Sequence, residues 1–385
     1  MSKHTLHMTF SIVLSIKVSE QRLNRLQGLS WIFLFELMDS QNLTYYKTEM
    51  ETRELGFQLK EKDKCIGLEI LVVGCVLNML QIRLLNDDLQ RKAREELNEV
   101  PERIHEDLQA LKTWIEEQPH LCANTDDQFL ISFLRGCKYS LEKAKKKIDS
   151  YYSFKTKFPE FCNVTNVDSA RMREIFRSGA FLYLPIPLRN NGPRICWVRL
   201  ASADMYSLEE VLAVNHVLQD ILMLEDDNAV INGLVMIADH KEISLSHILQ
   251  TTPTYLKKWI AYNHESIPLR LKSIHFLNAP KIFDVVYNTA KPMLPLKQQD
   301  RFLNHNSLDS LSQHVPLKYL PKDYGGENGS IKEIIAEWDK KLNKYRDYFD
   351  KSTQWGIDEK LRFDETNPYN DRFGSEGSFR KLEVD

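Results

Sequence analysis

The chain has 385 residues, with 51 basic and 54 acidic side chains and a formal net charge of −3 at pH 7. Its 43% of hydrophobic and 27% of charged residues are typical of a globular protein with a substantial buried core. The nearly balanced charge excludes a chain that is drawn as a whole to nucleic acid, so a basic binding site must be local. The six cysteines are scattered without metal-ligand spacing, which predicts reduced thiols rather than a disulfide framework.

The first 85 residues show no regular pattern. Residues 66–85 are apolar, but Glu69 and Arg83 are among the polar residues that interrupt them. About a dozen clean apolar residues remain, where about 20 are needed to span a bilayer. Two interpretations stay open: a membrane-anchoring segment, or an extension upstream of a natural start at Met79. Residues 1–85 are therefore left unassigned.

From residue 86 the apolar spacing becomes helical. The apolar residues of the first two predicted helices recur every three or four positions: Leu89, Ala93 and Leu97, then Ile104, Leu108, Leu111 and Ile115. Pro101 divides these two helices. Asp126 is placed to cap a third helix that Gly136 ends, and Ser140 opens a fourth. Residues 86–165 are therefore predicted to form a small all-helical module.

The chain beyond this module alternates strands and helices. The predicted elements are strands at 181–188 and 193–200, a helix at 208–224, a strand at 234–238, and helices at 245–250 and 253–263. The run at 234–238 is continuously apolar, which is typical of a strand covered on both faces. Residues 166–330 are therefore predicted to form an α/β domain with a mixed or parallel sheet. Residues 331–385 are predicted as a helix at 331–349 and a polar tail that wraps the fold or frays.

One stretch, residues 266–301, combines a strand, a turn, an apolar helix and four cations. Arg270 and Lys272 are two apart in the predicted strand, so their side chains would leave the same face. Lys297 and Arg301 are four apart in a helix after a proline break, again on one face. The spacing predicts a movable apolar element beside a phosphate-binding patch. Four solvated surface cations beside an ordinary core helix would show the same spacing.

Catalytic motifs are absent from the sequence. It contains no glycine-rich phosphate loop, nucleophile elbow or zinc-protease motif. His216 has no cysteine or carboxylate at metal-ligand spacing, and a histidine at a strand end, such as His240 beside Asp239, is usually structural. The sequence therefore predicts neither an enzyme nor a metal or cofactor site.

Five segments in chain order resemble the CRAL-TRIO family of lipid-transfer proteins. They are TDDQFLISFLRGCKYSLEKAKKKIDSYY at 125–152, LVMIAD at 234–239, HILQTTPTYLKKWI at 247–260, SIPLRLKSIHFLNAPKIFDVVYNTAKPML at 266–294, and LPKDYGG at 320–326. The resemblance covers about residues 86–330. The terminal EGSFRKLEVD is similar to the insect subgroup named after alpha-tocopherol transfer protein. Glu242 departs from the family, which usually has glycine three residues after the aspartate of the strand end.

The resemblance implies a small all-helical module packed on a CRAL-TRIO lipid-binding domain, an α/β fold whose mixed or parallel sheet carries helices on both faces. A gate helix, about residues 278–294 here, would cover a pocket for one lipid. The gate face would comprise Ile282, Phe283, Val286, Tyr287, Ala290, Met293 and Leu294. The pocket would be lined by Ala213, His216, Val217, Asp220, Leu234, Ala238, Trp259, Tyr262, Asn263 and Ile274.

Several of these pocket residues allow a second interpretation. Leu234 and Ala238 are equally suited to ordinary core packing. His216, Asp220 and Asn263 are polar for a purely hydrocarbon ligand, so they would meet a ligand hydroxyl or aldehyde, or face solvent. A buried aspartate without a partner would cost several kcal/mol, which makes the surroundings of Asp220 decisive.

By the same resemblance, Arg270, Lys272, Lys297 and Arg301 would bind the head group of a phosphatidylinositol bisphosphate. The expectation is a monomeric cytoplasmic protein that binds one tocopherol- or retinoid-like lipid, without a cofactor or nucleic acid. It would exchange this lipid on phosphoinositide-containing membranes, peripherally on endosomal or other intracellular surfaces. The alternatives are a non-transporting lipid-sensing or interaction module and a form anchored in membranes by residues 66–85.

Overall fold

The structure is a computed structural model that describes residues 82–162, 166–199, 206–363, 369 and 373. The suggested membrane segment therefore lies almost entirely outside the described residues. Among the helices that are described, none combines the length and apolar character needed to cross a bilayer. Cys122, Cys137, Cys162 and Cys196 are free thiols, in agreement with the prediction for these four positions.

The chain first forms a series of helices. They are α1 (Asp87–Leu97), α2 (Ile104–Glu116), α3 (Asp127–Gly136), α4 (Leu141–Lys157), α5 (Pro159–Cys162) and α6 (Ala170–Arg177), with a two-residue strand β1 (Leu121–Cys122) between α2 and α3. Asp126 caps α3, because its side chain accepts a hydrogen bond from the backbone N–H of Phe129. A 3₁₀ turn that begins at Pro101 separates α1 from α2. The four predicted helices are confirmed.

A five-stranded sheet follows, in the order β2 (Phe181–Tyr183), β3 (Arg194–Arg199), β4 (Leu234–Asp239), β5 (Leu271–Leu277) and β6 (Phe302–His305). β2 is antiparallel to β3, and the other three pairings are parallel. All six residues of β4 are buried, as expected for a central strand. The predicted α/β class with a parallel-rich sheet is confirmed.

The first predicted strand is too long, since β2 ends at Tyr183 rather than at residue 188. Pro185 and Pro187 follow, and proline has no N–H to donate to a strand ladder. The loop then turns through Arg189 and Asn190, which both have positive φ. The two prolines therefore shorten the strand, and the chain turns before β3.

Helices make the parallel crossovers. α7 (Leu208–Glu225) and α8 (Asp227–Asn232) join β3 to β4; α9 (Leu245–Gln250), α10 (Pro253–Ala261) and a π-helical turn (Tyr262–Ser266) join β4 to β5; α11 (Phe283–Ala290) and α12 (Leu296–Gln299) join β5 to β6. A parallel connection must return from the carboxyl end of one strand to the amino end of the next. The predicted gate region is therefore the β5–β6 crossover and travels the length of the sheet.

The last elements are α13 (Leu308–Ser312), α14 (Ile331–Lys344), α15 (Arg346–Ser352) and β7 (Gly356–Ile357). The single helix predicted at 331–349 is thus two helices that meet at Tyr345, a break that no glycine or proline marks. β7 pairs with β1. Tyr369 is fully buried, with its hydroxyl 2.8 Å from Ser266 Oγ and its ring 5.5 Å from that of Phe154 on α4. The described part of the tail therefore wraps the fold.

A buried ion cluster ties α3 to the surrounding elements. Arg135 donates to both carboxylate oxygens of Glu99, at 2.8 and 3.2 Å, and to Asp227 at 3.2 Å, while Tyr139 donates to Glu99 at 2.9 Å. The side chains of Arg135 and Glu99 are only 2% and 3% exposed. Burial alone would lower the pKa of Arg135, but the Glu99 carboxylate outweighs burial and raises that pKa above its usual range. Each charge in the cluster therefore depends on its partners.

Candidate functional site

The β5–β6 crossover covers an apolar part of the sheet. Phe283, Val286 and Ala290 of α11 are buried in a cluster with Leu256 of α10. Phe276 of β5 lies beneath them, with its ring centroid 5.0 Å from that of Phe283. Tyr287 and Met293 are half-buried against the same cluster, and Leu294 is buried. These six members of the predicted gate face thus point towards the core.

The helix itself is shorter than the predicted 278–294. Asn278 has φ +56°, outside helical geometry, and α11 begins only at Phe283. It ends at Ala290 and passes into a 3₁₀ turn (Lys291–Met293) that contains a proline. Ile282 departs from the predicted buried face, since it precedes the helix and remains 50% exposed.

The predicted pocket residues on the sheet share the side that faces α11. Met236 pairs with Ile274 and Ala238 with Phe276 across the parallel ladder, so these side chains leave the same face. Leu234 lies on this face too, because it alternates with Met236 along β4. Leu234, Ala238 and Ile274 are therefore brought together on the face where Phe276 packs under the gate.

The predicted pocket residues of α7 join a buried hydrogen-bond network. The Tyr262 hydroxyl donates to Gln219 Oε1 at 2.8 Å and lies 2.8 Å from His216 Nδ1. Tyr151 of α4 donates to Asp220 Oδ1 at 2.6 Å. Burial lowers the pKa of His216 more than the nearby Asp220 carboxylate raises it, so the ring is neutral at pH 7. The polar atoms are satisfied by the protein, an arrangement that the sequence did not suggest.

The remaining predicted lining residues are less enclosed. Val217 is buried on α7, whereas Ala213 on the same helix is half-buried. Trp259 and Asn263 are half-buried too, and Asn263 Nδ2 donates to the Trp259 carbonyl at 2.8 Å. One N–H of the Asn263 amide is thus used in closing its own helical turn.

Arg270 and Lys272 do not follow the regular strand alternation that was predicted. Arg270 precedes β5, and the register skips Lys272, since Leu234 pairs with Leu271 and Val235 with Ser273. Lys272 therefore sits in a bulge. The prediction that one regular strand carries both cations is wrong for this reason.

The guanidinium of Arg270 is engaged by helix ends. It donates at 3.4 Å to the carbonyls of Arg135, at the end of α3, and Val230, on α8, and to the carbonyl of Ile231. Carbonyls in the last turn of a helix lack intrahelical donors and attract positive charge. Arg270 therefore stabilises two helix ends in addition to any contact with a ligand.

Lys297 and Arg301 do not share a helix face, because α12 ends at Gln299. The chain must turn there to enter β6, and the Arg301 carbonyl accepts from the Ile274 N–H at 2.8 Å. Both side chains are exposed. Arg301 is thus placed beside β5 by strand pairing rather than by helical periodicity.

Electrostatic coupling shows which cations lie together. Burial lowers the pKa of Lys272, and the positive charges of Arg270, Arg301 and Lys138 lower it further, with Glu96 opposing them. These four cations, Arg270, Lys272, Arg301 and Lys138, are called the cation cluster below. Cations whose pKa is lowered by burial and by each other's charge form a candidate site for an anion.

Lys138 is the member that the sequence analysis missed. It follows α3, where Gly136 packs so closely on Pro268 that an added Cβ would lie 2.4 Å from the Pro268 carbonyl oxygen. This contact brings the end of α3 close to the start of β5, since Gly136 and Pro268 are 132 residues apart in the chain (268 − 136). A pairing of Gly136 with Pro268 leaves no local trace in the sequence that could have revealed it.

Comparisons with known proteins agree with this architecture. A family model described as CRAL/TRIO domain matches residues 187–326, and one described as Pinta-like, UBA domain matches residues 100–172. The alpha-tocopherol transfer protein-like protein of Homo sapiens is 34% identical over 273 residues, which are 69% of this chain and 77% of that protein. The chain belongs to the CRAL-TRIO family. The predicted resemblance is confirmed, and with it membership of a family that binds hydrophobic lipids.

Two further proteins are less similar to this chain. Clavesin-1 of Rattus norvegicus is 30% identical over 249 residues, which are 63% of this chain and 69% of that protein. The crystal structure of Sfh5 aligns with 66% of this chain and 92% of its own, at 14% identity and a TM-score of 0.39.

This CRAL-TRIO domain exposes large apolar side chains around the gate. Leu245 and Leu249 of α9 are 60% and 70% exposed, and Ile282 and Val285 of the gate segment are 50% and 65% exposed. α9 contacts the gate cluster through Ile248. Leu245, Leu249, Ile282 and Val285 are called the apolar rim below. Exposed apolar groups on adjoining elements mark surfaces that meet a membrane or another apolar partner.

Proposed function

We propose that this CRAL-TRIO protein carries one tocopherol- or retinoid-like lipid and exchanges it at phosphoinositide-containing membranes. The observation that supports this most directly is that a single crossover connects the gate with the cation cluster. Lys272 lies near the start of β5, α11 follows that strand, and Arg301 directly precedes β6. Binding of an anion at the cluster would therefore act directly on β5 and β6, the two strands that the gate connects.

The first step of the proposed mechanism is docking. A phosphate group would offset the burial and the like-charge repulsion that together lower the pKa of Lys272, and an arginine such as Arg301 can bind two phosphate oxygens at once. The apolar rim would enter the outer part of the bilayer at the same time. Electrostatic attraction and apolar burial together would hold the protein peripherally on the membrane.

The second step is displacement of the gate. In the closed structure Phe283, Val286 and Ala290 are covered by the core. If α11 moved outwards, a bilayer would cover these side chains, whereas water would not. A membrane therefore binds the open form better than the closed form, which is the condition for shifting the equilibrium. The lipid would leave between α11 and the sheet without covalent chemistry or a cofactor.

The lipid site would lie on the gate side of the sheet, bounded by α7 and α10. Its wall would be largely apolar, with His216 and Tyr262, which are hydrogen-bonded to each other in this structure, as the polar groups at one side. An apolar pocket with a few polar groups suits a long hydrocarbon that carries one hydroxyl or carbonyl. We place the protein in the cytoplasm as a monomer that acts peripherally on endosomal or other intracellular membranes.

Native mass spectrometry of the purified full-length chain, followed by lipid extraction, tests the cargo. We expect one lipid per chain and transfer of that lipid between vesicles. Transfer should be faster to acceptors with phosphatidylinositol bisphosphate than to phosphatidylserine acceptors of equal charge. Bound lipid without transfer would instead favour the non-transporting module. Retention in the membrane pellet after carbonate extraction would favour the form anchored by residues 66–85.

Replacing Leu249 by Asp should weaken binding to phosphoinositide vesicles by about tenfold or more, since burying one leucine contributes about 1.5–3 kcal/mol. The measurement is vesicle cosedimentation with the loaded protein. Leu361→Asp is the matched control, because Leu361 is also exposed (48%) but lies outside the rim. Equal binding by the two variants would remove the apolar rim from the proposed docking surface.

A further inference from the structure

The gate segment leaves the sheet at Asn278. β5 ends at Leu277, and Asn278 has φ +56°, the left-handed region that asparagine tolerates better than most residues. Its backbone N–H still donates to the His305 carbonyl of β6, at 3.2 Å. Asn278 is therefore the first residue of the crossover, and its backbone is still bonded to β6, while farther along only the Tyr287 hydroxyl of the described gate helix bonds to that strand, at the Phe302 carbonyl.

The side chain of Asn278 is hydrogen-bonded to the sheet as well. Its Nδ2 donates to Asp239 Oδ1 at 2.9 Å. Asp239 is the last residue of β4, is 1% exposed, and pairs in register with Leu277. The bond thus joins the ends of two neighbouring parallel strands at the point where the gate begins.

Asp239 is itself held firmly. Its Oδ1 accepts from the Lys241 N–H at 3.0 Å, and its Oδ2 accepts from the Tyr324 hydroxyl at 2.6 Å. Burial and this hydrogen bond to a carboxylate both raise the pKa of Tyr324, so Tyr324 remains a donor at neutral pH. Tyr324 belongs to the LPKDYGG segment and packs against Trp197 with ring centroids 4.4 Å apart. Three segments distant in sequence therefore meet at one carboxylate.

We propose that Asp239, oriented by Tyr324, is a positioning residue that clamps Asn278 to the sheet, so that the gate pivots beyond Asn278. This inference rests on the proposed function, because it assumes that α11 moves. The residues between Asn278 and Phe283 are outside regular helix and absorb the change of direction. Without the clamp, Asn278 would leave the sheet together with the gate, so the gate would open more readily and the end of β5 would loosen with it.

Asn278→Gly tests the clamp, since glycine keeps the left-handed φ and removes the bond to Asp239. Asn190→Gly is the matched control, because Asn190 is an exposed left-handed asparagine in the β2–β3 loop. Hydrogen exchange of the gate amides (283–290) and the rate of lipid exchange are measured in the full-length protein. We expect both to rise about tenfold in Asn278→Gly and to stay within about twofold of wild type in Asn190→Gly.

Tyr324→Phe provides a second variant without added backbone freedom. This variant should raise the hydrogen-exchange rate of the gate amides and the rate of lipid exchange by about threefold, because Asp239 loses one of its donors. Equal rates in Asn278→Gly and Asn190→Gly would overturn the clamp, as would wild-type opening in which β5 and gate amides exchange together. If the wild type transferred no lipid, the proposed function would fail, while the amide exchange rates would still decide the clamp.

Discussion

Replacing Lys272 and Arg301 together by alanine should slow lipid transfer to phosphoinositide vesicles about 30-fold. Each cation near an anionic leaflet contributes about 1 kcal/mol, so two contribute about 2 kcal/mol, a factor of about 30 in binding. Lipid loading in solution should stay intact, because neither side chain is among the predicted pocket residues. The transfer rate is measured from labelled donor vesicles to acceptors with and without phosphatidylinositol bisphosphate.

The matched control is the double replacement of Lys340 and Lys351 by alanine. Both lysines are exposed on α14 and α15, and their loss changes the net charge by the same amount. If this control slowed transfer as much as the cluster variant, attraction would depend on total charge rather than on a defined site. Arg270 stays unchanged in this experiment, since its guanidinium also holds the carbonyls at the ends of α3 and α8.

Replacing Arg135 by methionine should lower the free energy of unfolding by about 3–5 kcal/mol, because it leaves the buried charge of Glu99 without its partner. Asp227 would lose a contact in the same variant. Urea denaturation at pH 7, followed by circular dichroism, measures the change. We expect a midpoint well below that of the wild type with little change in slope.

A second variant shows whether the loss of stability comes from an unpaired charge. Replacing both Arg135 and Glu99 by methionine should cost less than Arg135→Met alone, because no carboxylate of this pair then remains buried. Lys340→Met breaks an exposed pair with Glu337 and should leave the midpoint close to the wild type. A double variant less stable than Arg135→Met would show that packing, rather than charge, dominates at this site.

The elements that the sequence predicted best are those with local signals. The Asp126 cap and the continuous apolar run of β4 each depend on neighbouring residues, and both occur in the structure. The break at Tyr345 has no such signal. Trp338 before the break and Phe349 after it are both buried in the same core, so burial continues across the break although the helix does not.

The candidate functional site shows the same difference between features with local signals and features that depend on distant residues. The apolar face of α11 follows from spacing, so Phe283, Val286 and Ala290 were predicted to share one side. The partners of polar groups do not follow, because they lie far away in the chain: Tyr151 is 69 residues from Asp220. The bulge at Lys272 likewise depends on the register between β4 and β5, which a single strand does not encode. Charge spacing thus suggested a basic site, whereas its membership required the fold.

The gate is a crossover joined to the sheet at both ends, by Asn278 on one side and by Arg301 and Phe302 on the other. A displaced α11 therefore stays tethered close to its own groove. Short tethers of this kind give effective concentrations on the order of millimolar. Reclosure would then proceed at a rate independent of how many copies of the protein a cell contains, and a scarce carrier would close over its cargo as readily as an abundant one.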